Sequence, residues 1–246
     1  FFMNDIADAK ASFATQAAIF RSKHNWLMCV LYLGTFGSFI GYAAGFPLLI
    51  KSQFTDVNPL AYAWIGPLVG ALIRPVGGWL SDKLGGARVT FWNFIVMALA
   101  VVGVLFFLPK GTGSAYALSI GPAEGNFTGF FLMFLVLFLT TGIGNGSTFR
   151  MIPVIFLNLK TRQVKRNDEV RMAAAVKEAN TEAAAVLGVT AAVAADGGFF
   201  IPKSYGTSIG ATGGPELALM AFIAFYLLCI VTTWWYYARK GAEQPC

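Results

Sequence analysis

Six stretches of the chain run apolar for about 20 residues or more, and short polar or turn-forming segments separate them. At 1.5 Å per residue a helix needs ~20 such residues to cross the ~30 Å hydrocarbon core of a bilayer. The pattern predicts six membrane-spanning helices, at residues 26–50, 60–80, 89–109, 129–157, 183–202 and 215–237. The separators are Thr55-Asp56-Val57-Asn58-Pro59, Gly85-Gly86, residues 110–114, a charged loop over residues 158–182, and the glycine-rich residues 210–214. Residues 1–25 mix Phe, Ala and Ile with Asp, Lys and Arg, which predicts an interfacial helix or linker. The first span is too long, and starts too far in, to be a signal peptide. The chain thus divides into a linker at 1–25, a six-helix bundle at 26–240 and a tail at 241–246.

Composition agrees with this division. Hydrophobic residues make up 57% and charged residues 12%, about half the ~25% charge of a soluble domain. That excludes a disordered chain, a disulfide scaffold and an ordinary cytosolic enzyme. The three cysteines, Cys29, Cys229 and Cys246, are far apart and form no zinc or disulfide framework. One histidine, His24, leaves little for metal or triad chemistry. No metal, cofactor or catalytic residue is expected. The chain opens at Phe1 without an initiator Met, so a fragment of a longer protein is expected.

The net charge is +6, and its placement says more than its size. With residues 1–25 in the cytoplasm, the cytoplasmic segments hold Lys10, Arg21, Lys23, Lys83, Arg88, Lys160, Arg162, Lys165, Arg166, Arg171, Lys177, Arg239 and Lys240. The outer segments hold only Lys51, Lys110 and Lys203. Basic residues collect on the cytoplasmic side of membrane proteins, which puts both termini there; a multi-pass protein of the cell inner (plasma) membrane is expected. Trp26, Trp92, Trp234 and Trp235 fall at the same ends, as an interfacial aromatic belt should. The charge is therefore a topology signal, and no nucleic-acid partner is expected; the bilayer is.

Two of the 18 Lys and Arg remain, Arg74 and Arg150, both inside apolar spans. Charges at such depth are costly and mark functional sites or snorkel to the headgroups. Arg74 lies seven residues above Ser81, roughly 10 Å deep. Pro67 and Pro75 predict a bend in its helix. Tyr32, with Phe36 one turn above it, Gly188 and Arg150 lie at a similar depth, roughly 8–10 Å, and Asn145 is somewhat deeper. Arginine presents a rigid donor fork suited to a planar oxyanion. Arg74, Tyr32, Phe36, Gly188 and Asn145 are accordingly the candidate binding residues for a small anion. Arg150, next to the basic 158–177 segment, reads better as a snorkelling or structural group. Asp196, inside the fifth span, is read as a vestibule or ion-pair residue ahead of a proton site.

Glycines recur within spans, at 37, 41 and 45, at 66 and 70, and at 142, 144 and 146. Such spacing lets helices pack closely, and in a transporter it also lets them slide. The Phe and Met runs of the third, fourth and sixth spans are read as lipid-facing or packing residues. Neither Gly-rich segment carries the Lys-Ser/Thr of a phosphate loop, which disfavours an ATP-driven pump.

Residues 77–88 (Gly-Gly-Trp-Leu-Ser-Asp-Lys-Leu-Gly-Gly-Ala-Arg) resemble the cytoplasmic loop motif of the major facilitator superfamily. Residues 35–46, 70–75, 142–152 and 188–202, in that order, resemble the second half of its nitrate/nitrite porter family. The resemblance implies an all-α membrane protein of two six-helix halves, this chain being the C-terminal one and the N-terminal half its missing partner. It implies a secondary transporter of nitrate and nitrite, not an enzyme, working by alternating access and probing one anion between an arginine from each half. Arg74 matches the arginine of this half. Tyr32 and Phe36 match positions that bond and sandwich the anion, and Gly188 matches a backbone contact in the signature helix. Ala194, Asp196 and Arg150 stand where the family pattern has a Gly, an apolar residue and commonly a Gln. Exchange of nitrate for nitrite is the first expectation. Proton-coupled symport, or another small anion on the same scaffold, is the alternative.

Overall fold

The computed structural model describes residues 17–109, 124–162, 164 and 168–246. Most of the expected linker, Lys10, the 110–114 separator, Lys165 and Arg166 lie outside them. Among the described residues six helices are long and apolar enough to cross a membrane: α1 Lys23–Gln53, α2 Pro59–Leu84, α3 Gly86–Phe107, α4 Phe127–Thr161, α5 Glu169–Thr212 and α6 Glu216–Ala238. The regular structure of these residues is all helical and matches the six-span half of a major facilitator fold. An even number of spans leaves the start of α1 and the end of α6 on one side, called here the terminus side.

The spans run longer than their apolar cores, and most of the charged 158–182 loop is helix. α4 continues to Thr161, and α5 starts at Glu169. The Asp168 side chain caps that start by accepting from the Arg171 N–H at 3.1 Å. Alanine-rich sequence then favours helix without needing hydrocarbon around it. Lys160 on α4 joins Glu178 and Glu182 on α5, each at 2.7 Å. At 44 residues α5 is ~66 Å long, well beyond the ~30 Å core. Its far end also overruns the expected turn. The helix stops at Thr212, and Gly213, at φ +81°, supplies the left-handed closing residue. Lys203 is therefore helical, with its ammonium over Phe199.

α4 is the central helix. Phe130, Phe134 and Phe138, spaced by four, line one of its faces and are fully buried against Phe46 of α1. The Phe46 and Phe134 ring centres are 4.7 Å apart. These three phenylalanines of α4 are packing residues while Phe149 is exposed, and Trp26, Trp92, Trp234 and Trp235 are all exposed, as the expected belt requires.

Two seams use missing Cβ atoms. On α2 and α4, a Cβ at Gly142 would overlap the Gly70 carbonyl, and one at Gly146 would overlap the Arg74 carbonyl. On α1 and α5, a Cβ at Gly41 would meet the Gly197 carbonyl, and α5 is interrupted there, at Asp196.

The tail folds back across the terminus side. His24 is buried, its Nδ1 3.0 Å from the Tyr237 hydroxyl and its Nε2 3.3 Å from Glu243. Lys23 donates to Glu243 at 2.7 Å, Arg162 donates to the Glu243 carbonyl at 3.0 Å, and the Ala87 N–H donates to the Cys246 carbonyl at 3.0 Å. Residues 239–246 thereby join the ends of α1, α3, α4 and α6. The Lys23 ammonium holds the Glu243 carboxyl below the usual carboxylate range.

Candidate functional site

The first turns of α1 place Tyr32, and the next five residues, Leu33–Gly37, form a wider π-helical turn. Such turns insert an extra residue and re-aim side chains. The Thr35 hydroxyl lies 3.3 Å from the Leu31 carbonyl and 3.0 Å from the Thr148 hydroxyl of α4, which pins this turn to the central helix. The Tyr32 and Phe36 rings stay in contact across it, centres 5.3 Å apart and tilted by 36°.

Arg74 comes to the same place from α2. Its guanidinium lies 5.5 Å from the Phe36 ring centre and 4.3 Å from that of Phe39. The missing Cβ of Gly70, one turn away on α2, leaves the room that Phe39 occupies. The backbone of Arg74 is fixed from behind by Gly146 of α4. Pro75 sits within a continuous Ile65–Leu84 helix, and α2 is interrupted at Ala63–Trp64. Pro67 comes in the first turn, where backbone N–H groups have no helical partner to lose.

The chemistry of this cluster is that of a cation held without an anion. The Arg74 Nε is buried and has no hydrogen-bond partner, and no carboxylate pairs with Arg74 among the described residues. Aromatic faces stabilise a cation but accept little directional hydrogen bonding. A buried donor left unmade costs ~1–3 kcal/mol, more when charged. An acceptor arriving at the free fork recovers that cost, and a planar oxyanion offers two oxygens to it. The buried Tyr32 is one ring away, across Phe36.

The structure unites Tyr32, Phe36 and Arg74, but not all the expected residues. Asn145 is buried on α4 beside Gly146, and its side chain makes no hydrogen bond among the described residues. Gly188 is exposed on α5, with no atom within 4 Å of where a Cβ would stand. Arg150 points elsewhere. Its Nε donates to Asp82 of the α2–α3 junction, and both side chains are about half exposed, at 55% and 53%. Asp196 is exposed at the interruption of α5 and has no ion-pair partner among the described residues, while its carbonyl accepts from the Phe199 and Phe200 N–H groups at 3.0 Å. Phe39, nearest to the guanidinium, was not singled out from sequence. Its signal was its place three residues after Phe36, one turn along the same face.

No family model matches the chain. It is 48% identical to the nitrate/nitrite transporter NarU of Salmonella typhimurium, over 99% of this chain and 50% of that protein. It is 48% identical to NarU of Escherichia coli, over 98% of this chain and 50% of that protein. It is 37% identical to the probable nitrate/nitrite antiporter NarK2 of Thermus thermophilus, over 96% of this chain and 47% of that protein. The chain spans about half the length of these curated relatives.

Proposed function

The chain belongs to the nitrate/nitrite porter family of the major facilitator superfamily, and from that premise we propose that it is the C-terminal half of a secondary transporter of nitrate and nitrite. Arg74, Phe36, Phe39 and Tyr32 hold the anion, with Gly188 and Asn145 lining the path. The observation that carries the reading is the Arg74 guanidinium, set over two rings with its Nε unpartnered. A nitrate or nitrite supplies the missing acceptor. A second cation from the N-terminal half faces it across the path, so that the bound anion screens the two charges and lets the halves close. Reorientation proceeds by rocking of the halves around the midplane site.

The surfaces suit such a partner. Of the most apolar window of α2 only 17% is buried, against 56% in α1 and α3. α2 carries Arg74 and leaves most of its apolar stretch uncovered, which supports a reading in which the other half covers the face bearing the site. Nitrate/nitrite exchange is favoured by the antiporter name of the Thermus relative and by the few carboxylates in the six apolar stretches, Asp196 and the edge residue Glu216. The excess of basic residues at the terminus side supports a reading with both termini in the cytoplasm and the 26–240 bundle in the inner membrane.

The decisive variant is Arg74→Lys in the full-length protein reconstituted in proteoliposomes. A lysine keeps the charge and loses the fork. Nitrate uptake should fall at least ten-fold with the protein still folded, and undiminished uptake would remove Arg74 from the site. A pH gradient without internal nitrite should drive no uptake if exchange is the mode.

A further inference from the structure

On the outside of the bundle, away from Arg74, α2 and α3 leave an open groove of about 460 Å³ whose floor is α4. Leu80 and Leu84 form one wall, Trp92 and Val96 the other, and Leu139 and Ile143 the floor. Arg88 stands at its mouth on the terminus side, two residues into α3. Leu80 and Leu84 are about 80–120° around α2 from Arg74, at ~100° per residue. The groove therefore opens toward a different side from the anion site.

We propose that this groove binds one anionic phospholipid of the terminus-side leaflet, with an acyl chain along the floor and the phosphate at Arg88. Apart from Asn93 and Thr140 the lining below Arg88 is apolar, and it lies within membrane spans, so hydrocarbon is the phase that meets it. Trp92 is 64% exposed at the mouth, the level at which indole rings sit among headgroups. Arg88 is exposed and has no ion-pair partner among the described residues, whereas Arg150 of α4 is paired with Asp82 of α2. On the neighbouring turn Lys83 is held over Trp79 at 4.2 Å, so a second cation stands at headgroup level. Basic pockets between spans select anionic headgroups over zwitterionic ones.

The test uses the full-length protein in detergent, with phosphatidylglycerol or phosphatidylcholine added and retained lipid counted by native mass spectrometry. Wild type should retain phosphatidylglycerol about five-fold over phosphatidylcholine. Arg88→Ala should lose that preference, and Arg88→Lys should keep most of it. Leu139→Trp, which fills the floor and keeps the charge, should lose retention of both lipids. Melting without added lipid, unchanged from wild type, establishes that each variant is folded. Inorganic phosphate at millimolar concentration should not displace the lipid, since it lacks the chain. In vesicles, dibrominated phosphatidylglycerol should quench wild type more than Trp92→Phe. Equal retention by wild type, Arg88→Ala and Leu139→Trp overturns the proposal. So does identical quenching of wild type and Trp92→Phe, the result expected if the other half covers the groove. Nitrate transport is not a readout here, so failure leaves the anion site untouched.

Discussion

The guanidinium of Arg74 lies 4.3 Å from the ring centre of Phe39, nearer than the 5.5 Å that separates it from Phe36. A cation over an aromatic face gains ~0.5–2 kcal/mol. Phe39→Leu keeps apolar bulk and removes the π face. The KM for nitrate in proteoliposomes should rise about 2- to 30-fold, with the melting temperature nearly unchanged. An unaltered KM would show that Phe39 only fills space.

Gly146 holds α4 against the Arg74 carbonyl, whereas Gly206 of α5 has no atom within 4 Å of a would-be Cβ. Gly146→Ala should therefore cost about 1–3 kcal/mol and shift Arg74. Gly206→Ala gains helix propensity and should be neutral or stabilising by up to ~1 kcal/mol. Thermal unfolding in detergent separates the two, and equal melting would contradict the seam.

Arg150 and Asp82 form an exposed pair that ties α4 to the α2–α3 junction. Exposed pairs contribute about 0.2–1 kcal/mol. In a double-mutant cycle of Arg150→Gln and Asp82→Asn the coupling should lie in that range. The nitrate KM of Arg150→Gln should stay within about two-fold of wild type. A large rise in KM would return Arg150 to the anion site.

Glu243 bonds Lys23, which holds its carboxyl below the ordinary range. A depressed carboxyl stabilises the folded state above its unfolded pKa, and that contribution is lost as pH falls through the folded value. Protection of the residue 239–246 amides, corrected for the intrinsic pH dependence of exchange, should thus fall on acidification below the usual carboxylate range. Glu243→Gln should show low protection at every pH, and identical protection profiles for the two proteins would refute the contact.

Much of this was legible along the chain. Six apolar runs became six helices, because the length needed to cross hydrocarbon is a property of each segment alone. Arg74 stood out because a charge amid apolar residues is visible without neighbours. The helical character of residues 169–182 was hidden, since hydropathy reports transfer into lipid and not continuation of a helix into water. The π-helical turn at Leu33–Gly37 was equally hidden, because it depends on Thr35 bonding across to Thr148.

The local sequence determined how many apolar spans the chain carries and which two arginines lie within them, both of which follow from the cost of leaving polar groups in hydrocarbon. Only the tertiary structure decided that Phe39 lies nearest Arg74, that Arg150 turns away to Asp82, and that the tail closes on His24 and Lys23. Each of these is set by the rotation of one helix against another, and that rotation is fixed by glycine contacts and ring packing between residues far apart in the chain.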